Sequence, residues 1–171
     1  MKKFLIALLP IALSAAAAFG LDYEKSTVSW NSMVGVITAP GVDNPVGTIH
    51  GGAGPWSVHN GRARVNLSNG FTSFDVEGLV LNGSSSSGTP GAITAVKGTL
   101  VCNSVGTTPT ILDTTAVSLN VHGDAHFEGQ LSDLPATCDN PVFLIRIAAP
   151  AGAAGRWIAT GARRFTDDDL R

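Results

Sequence analysis

Residues 62–81 read RARVNLSNGFTSFDVEGLVL, and this stretch decides the fold class. Apolar and polar residues alternate on both sides of Asn69-Gly70, the pattern of a strand with one buried face. Asn-Gly is the strongest short hairpin signal, because both positions of a two-residue loop need positive φ. Counting outward from that loop pairs Ser68 with Phe71, then Val65 with Phe74 and Ala63 with Val76. On the opposite face Arg64 meets Asp75 and Arg62 meets Glu77. A slip of one residue would exchange the two faces, so the match predicts an antiparallel hairpin in that register.

The rest of the chain repeats this grammar. Twenty glycines and nine prolines punctuate short runs rich in Val, Thr and Ser, which predicts frequent turns between short strands. Strands are expected at 27–30, 34–38, 46–50, 56–59, 93–102, 117–121, 124–131, 142–149 and 155–162. In 93–102, Val96, Leu100 and Cys102 point inward and Lys97 and Thr99 outward. VFLIRIAA (142–149) is apolar almost throughout and reads as a central strand. Loops are expected at 82–91, 103–109 and 132–141. Roughly eight to ten short antiparallel strands predict an all-β sandwich, with a closed eight-stranded barrel as the alternative.

The first residues follow different rules. MKKFLIALLPIALSAAAAFG has two lysines, an apolar run broken by Pro10, and a row of alanines. That is the grammar of a secretory signal peptide over 1–18, shorter than the roughly 20 apolar residues of a bilayer span. A single β domain is then expected over 19–162, with a polar tail at 163–171 (RRFTDDDLR). Without Lys2 and Lys3 the chain carries nine basic residues against thirteen acidic ones, a net charge of −4. No basic stripe is present, which excludes nucleic acid as a partner. No second segment suits membrane insertion after cleavage. The expected location is secreted or periplasmic, with any ligand in the extracellular space or cell envelope.

Cys102 and Cys138 both fall in the exported part, where paired cysteines close. The bridge would span 37 residues counting both ends. A redox-active pair favours Cys-x-x-Cys spacing, which is absent, so a structural disulfide is expected.

Chemistry concentrates in NVHGDAHFEG (120–129). His122, Asp124 and His126 are spaced two apart and would share a face of a strand, as two nitrogen ligands and one oxygen ligand for a divalent metal ion. His50 or His59 would be a further ligand. The opposing reading is a solvent face, because Asn120, Glu128 and Gln130 continue it with polar residues while Val121, Gly123, Ala125, Phe127 and Leu131 face inward. Gly123 predicts a bend that turns His122 away. The solvent face is the preferred reading, and no cofactor is expected. Asp75 and Glu77 have the spacing of a glycosidase pair, but arginines opposite favour ionised surface pairs. GSSSSG lacks the strand-turn-helix setting of a serine nucleophile. Trp56 and Trp157 are candidates for stacking on sugar rings, with core packing as the alternative. Asn66 and Asn82 each open an Asn-x-Ser glycosylation pattern.

The motifs GGAGPW, VEGLVL, GTLVC, GDAHFEG, LPATC, FLIRI and GRWIATG occur in this order. Together they resemble a group of small exported, mostly bacterial proteins of unknown function, over about residues 56–161. The resemblance implies a shared fold and the two cysteines, and carries no activity, cofactor or catalytic residue. The expected function is therefore an exported, non-enzymatic binding or structural β-domain. The alternatives are a metal-dependent enzyme or carrier built on His122, Asp124 and His126, and a carbohydrate-binding module using Trp56 or Trp157.

Overall fold

The computed structural model describes residues 26–38, 42–52 and 54–162. The expected leader at 1–18 and tail at 163–171 lie outside the described residues. The strands are β1 (Thr27–Trp30), β2 (Ser32–Gly35), β3 (Trp56–Ser57), β4 (Asn60–Asn66), β5 (Phe71–Glu77) and β6 (Val80–Leu81). They continue as β7 (Ala95–Cys102), β8 (Thr110–Asp113), β9 (Val117–Ser118), β10 (Ala125–Gln130), β11 (Val142–Ala149) and β12 (Trp157–Ala162). No α-helix occurs among the described residues.

Two antiparallel sheets face each other. The smaller has the order β1-β4-β5-β10; the larger runs β2-β12-β11-β7-β8, with β9 also on β7. A small β3-β6 pair stands apart. The chain passes between the sheets at Asn31, which joins β1 to β2, and again between β9 and β10. The all-β sandwich is thus the observed class, and β11 lies between β7 and β12 as a central strand should.

Alternation selects the core. Trp30, Val65, Phe74 and Val76 of the smaller sheet are buried against Leu100, Phe143 and Ile145 of the larger. Phe74 stacks on Phe127 with ring centroids 5.6 Å apart and tilts toward Phe143 at 5.9 Å. Phe143 in turn meets Trp30 at 5.5 Å. Gly98 makes room for this cluster: a Cβ there would stand 2.6 Å from the Phe143 ring and 2.9 Å from Phe74. Glycine in mid-strand, ordinarily a weakness, here allows two aromatics from opposite sheets to meet.

The 62–81 hairpin forms, but its register differs from expectation by two residues. Asp75 pairs with Arg62, Phe74 with Ala63 and Thr72 with Val65. The inward and outward faces survive, because a shift of two restores the same alternation. The turn decides the register. Asn66 Oδ1 accepts hydrogen bonds from Ser68 N (2.9 Å), Ser68 Oγ (2.6 Å) and Asn69 N (3.2 Å). Gly70 N donates to Asn66 O at 2.8 Å, so Leu67–Gly70 form a four-residue loop. Gly70 has φ +78° and Asn69 has no positive φ, which rules out the two-residue turn. Leu67 packs on the core. A Cβ on Gly70 would lie 2.4 Å from Leu131 O. Gly70→Ala should therefore cost about 1–3 kcal/mol from left-handed strain and this clash, read as a lower urea midpoint; an unchanged midpoint would refute the loop geometry.

Other expectations move. The strand at 34–38 begins earlier, as β2. Residues 46–50 form only a bridged turn between Val46 and Ile49. β8 occupies a stretch in which no strand was expected. Thr99 faces outward yet is fully buried, because the outer face of the larger sheet is itself covered. Residues 42–52 supply much of that cover: Gly52 N donates to Trp157 O, Trp157 N to His50 O, and Trp157 Nε1 to Asn44 O.

Cys102 and Cys138 form the expected disulfide, with Cα atoms 4.7 Å apart. Cys102 ends β7 and Cys138 precedes β11, and these strands are antiparallel neighbours with Val101 opposite Val142.

Asp113 on β8 gathers charge on that same outer face. It is paired with Lys97, accepts from Thr99 Oγ1 at 2.6 Å, and accepts from Arg146 Nη1 at 3.0 Å. Burial pushes its carboxyl up, but hydrogen bonds from Lys97 and Thr99 and the charges of Arg146 and Lys97 outweigh that and hold it below the ordinary value. A depressed folded pKa adds stability above the unfolded value of about 3.9 and loses it as pH falls through the folded value. Melting of the wild type should thus fall more steeply below about pH 4 than melting of Asp113→Asn, which should start lower at neutral pH. Parallel curves would contradict the pairing.

Candidate functional site

The HGDAH stretch starts as a turn and ends as a strand. Asn120 Oδ1 accepts from His122 N at 2.8 Å and Asp124 N at 2.9 Å. Gly123, at φ +84°, reverses the chain, and β10 begins only at Ala125. His122 is therefore not on the strand face that carries His126. Ala125, Phe127 and Leu131 are buried as expected, but Val121 is 77% exposed, because the turn lifts it off the core.

Each prospective ligand has its own neighbourhood. Asp124 Oδ1 accepts from Gly78 N at 3.0 Å, and Oδ2 accepts from Asn120 Nδ2 at 3.0 Å. These two bonds hold its carboxyl below the usual range. His126 lies opposite Asp75 on β5, with Nδ1 2.6 Å from Asp75 Oδ1. Arg62 Nε donates to Asp75 Oδ2 at 3.1 Å. Arg62, Asp75 and His126 thus form one row across β4, β5 and β10. Desolvation raises the Asp75 carboxyl, but His126 and Arg62 together prevail and hold it low.

Around this row lies an open depression of about 650 Å³, bordered by His59, Asp75, Glu77, His122, Asp124 and His126. Three of the chain's four histidines meet there. They border it without converging: among the described residues no three His, Cys, Asp or Glu side chains are grouped to hold a metal ion. His50 is elsewhere, paired with Asp43. A second depression, of about 320 Å³, continues along the same face past Ser29, Arg62, Arg64, Ser73 and Glu128.

The chemistry is that of a hydrogen-bonding surface. A general acid near neutral pH needs a raised carboxyl pKa, whereas Asp75 and Asp124 are both lowered. Glu77 lies opposite Asn60, not Arg62 as expected. Trp56 and Trp157 do not form a sugar platform: both are buried, at 5% and 7% exposure, and belong to the core. The stacking expectation is corrected on this point, since a ring sealed in the core offers no face to a ligand.

Asp75 as the partner of His126 was not anticipated; of the two histidines named as a further ligand, His59 reaches the rim and His50 does not. No spacing could show that pair, since Asp75 and His126 are 51 residues apart. Only the strand order β4-β5-β10 brings them together.

The arrangement predicts small effects for the histidines. His122→Ala should change stability by no more than about 0.5 kcal/mol, and His126→Ala by about 0.2–1 kcal/mol as an exposed cross-strand partner. Chelator should leave all three melting temperatures unmoved. A fall confined to the wild type would identify the histidines as ligands.

No known protein family, curated protein or solved structure matches this chain.

Proposed function

We propose that this chain is an exported, non-enzymatic binding module. Its working surface is the outer face of the four-stranded sheet, around Arg62, Asp75 and His126. The observation that carries this reading is the contrast between the two outer faces. Residues 42–52 overlie part of the larger sheet's outer face through bonds to Trp157. The smaller sheet's outer face carries rows of polar side chains: Arg62, Asp75 and His126 in one, Ser29, Arg64, Ser73 and Glu128 in the next. Both depressions open on it and share Asp75 and His126.

Strands hold these donors and acceptors at fixed spacing, so little order must be imposed when a ligand arrives. Positive and negative groups are mixed, and no large apolar side chain interrupts the two rows. The surface suits a ligand that hydrogen-bonds along its length rather than one that stacks or inserts. Two features support export: the leader-like start, and a disulfide of the kind that persists in oxidising compartments. Among the described residues no helix is long and apolar enough to cross a membrane.

The test is retention of mature protein on an array of neutral and acidic oligosaccharides and on isolated cell-wall polymers. Wild type should retain one class and release it chemically unchanged, and Arg62→Ala/His126→Ala should lose it while melting within a few degrees of wild type. A cleaved ligand, equal retention by the variant, or no retention by wild type counts against the reading.

A further inference from the structure

We propose that a pocket on the far side of the sandwich, between β8, β11 and residues 48–50, binds a small organic anion with an oxyanion head and a compact apolar body. The pocket is about 380 Å³ and is lined by Ile49, His50, Ile111, Arg146 and Arg156 among others. That size falls within the range of small-molecule sites.

Charge is distributed unevenly in this chain. The described residues hold five Lys or Arg side chains (Arg62, Arg64, Lys97, Arg146 and Arg156) against eight carboxylates. Three of the five, Lys97, Arg146 and Arg156, gather at or beside this pocket. The carboxylates facing them are Asp113, shared by Lys97 and Arg146, and Asp43, which pairs with His50 and feels the charge of Arg156. Three fixed cations against two carboxylates leave a local excess of positive charge, although the described residues as a whole carry more carboxylates than cations.

The guanidinium groups are also held in place. Arg146 Nε donates to Gly155 O at 2.9 Å and its Nη1 to Asp113. Arg156 Nη1 donates to Gly51 O at 2.6 Å. Arg146 Nη2 and Arg156 Nε and Nη2 have no acceptor among the described residues. Two anchored guanidinium groups with unused N–H donors are preorganised for a carboxylate or phosphate, which match their fork geometry. The Arg146 side chain is only 14% exposed, so its charge is screened less than a surface arginine's. Ile49 and Ile111 supply an apolar wall, which distinguishes this pocket from a site for a bare inorganic ion.

Binding is read from the methyl NMR signals of Ile49 and Ile111 in intact mature protein, titrated with benzoate, phenyl phosphate or benzamidine. Benzoate or phenyl phosphate should shift both signals saturably, and whichever binds names the head group. Benzamidine, with the same ring and the opposite charge, should leave them unmoved. Arg156→Gln removes one charge-assisted donor and should weaken binding about ten- to a hundredfold. Ile111→Glu, on the half-buried edge strand β8, should weaken it similarly and serves if the arginine variant does not fold. The proposal is overturned if neither anion shifts the signals, if benzamidine binds as well as they do, or if a folded variant binds like wild type.

Discussion

Phe74→Ala should lower the unfolding free energy by about 3–5 kcal/mol, the usual cost of removing a fully buried ring. Phe74 has no exposed surface and lies at the centre of the aromatic cluster, stacked on Phe127 and tilted against Phe143. It also closes over Gly98 on the opposite sheet. Truncation removes contacts to both sheets and leaves a void that Gly98, with no side chain, cannot fill. The loss is a large share of a typical stability of about 5–15 kcal/mol. Phe127→Ala should cost less, because Phe127 belongs to the edge strand β10 and its site can relax toward solvent. Urea unfolding of both variants gives the comparison. A Phe74→Ala loss below about 1.5 kcal/mol, or one smaller than that of Phe127→Ala, would place the centre of the core elsewhere.

Opening the Cys102–Cys138 bridge should have an effect of similar size by a different route. Closing a loop of this length restricts the unfolded chain by about 4 kcal/mol in the chain-entropy picture. The Cys102→Ala/Cys138→Ala variant should lose about 2–4 kcal/mol, because strain and residual structure reduce the ideal value. The folded state has its own ladder between β7 and β11, with seven residue pairs from Val142–Val101 to Ala149–Ala95. The reduced protein should therefore keep its far-UV circular dichroism spectrum and melt at a lower temperature. An unchanged melting temperature under reductant, or free thiol in unreduced protein, would sink the assignment.

Several features of the fold are local in origin and could be read along the chain. β1 and β11 have the expected ends, because turn residues and apolar runs mark them directly. The two faces of residues 62–77 were legible, since one-residue slippage would bury Arg62, Arg64 and Asp75. The bend at Gly123 was legible too, from a glycine interrupting a polar strand. The cysteine pairing needed no geometry, since the chain has only two.

What the sequence determined by itself was therefore the class, the faces and the bridge. Tertiary structure decided register, cover and company. Alternation has a period of two, so it cannot tell Arg64–Asp75 pairing from the observed Arg62–Asp75 pairing; the four-residue loop held by Asn66 chooses between them. Polarity cannot tell an outward residue that meets water from one that is covered, so Thr99 looked exposed until β8 was placed beside it, with Asp113 directly opposite and hydrogen-bonded to it. Trp157 looked available for the same reason, until residues 42–52 closed over it. The row of Arg62, Asp75 and His126 depends on strand order. Hydrogen bonding between strands distant in sequence sets that order, and the amino-acid pattern of any one strand holds no record of its neighbours.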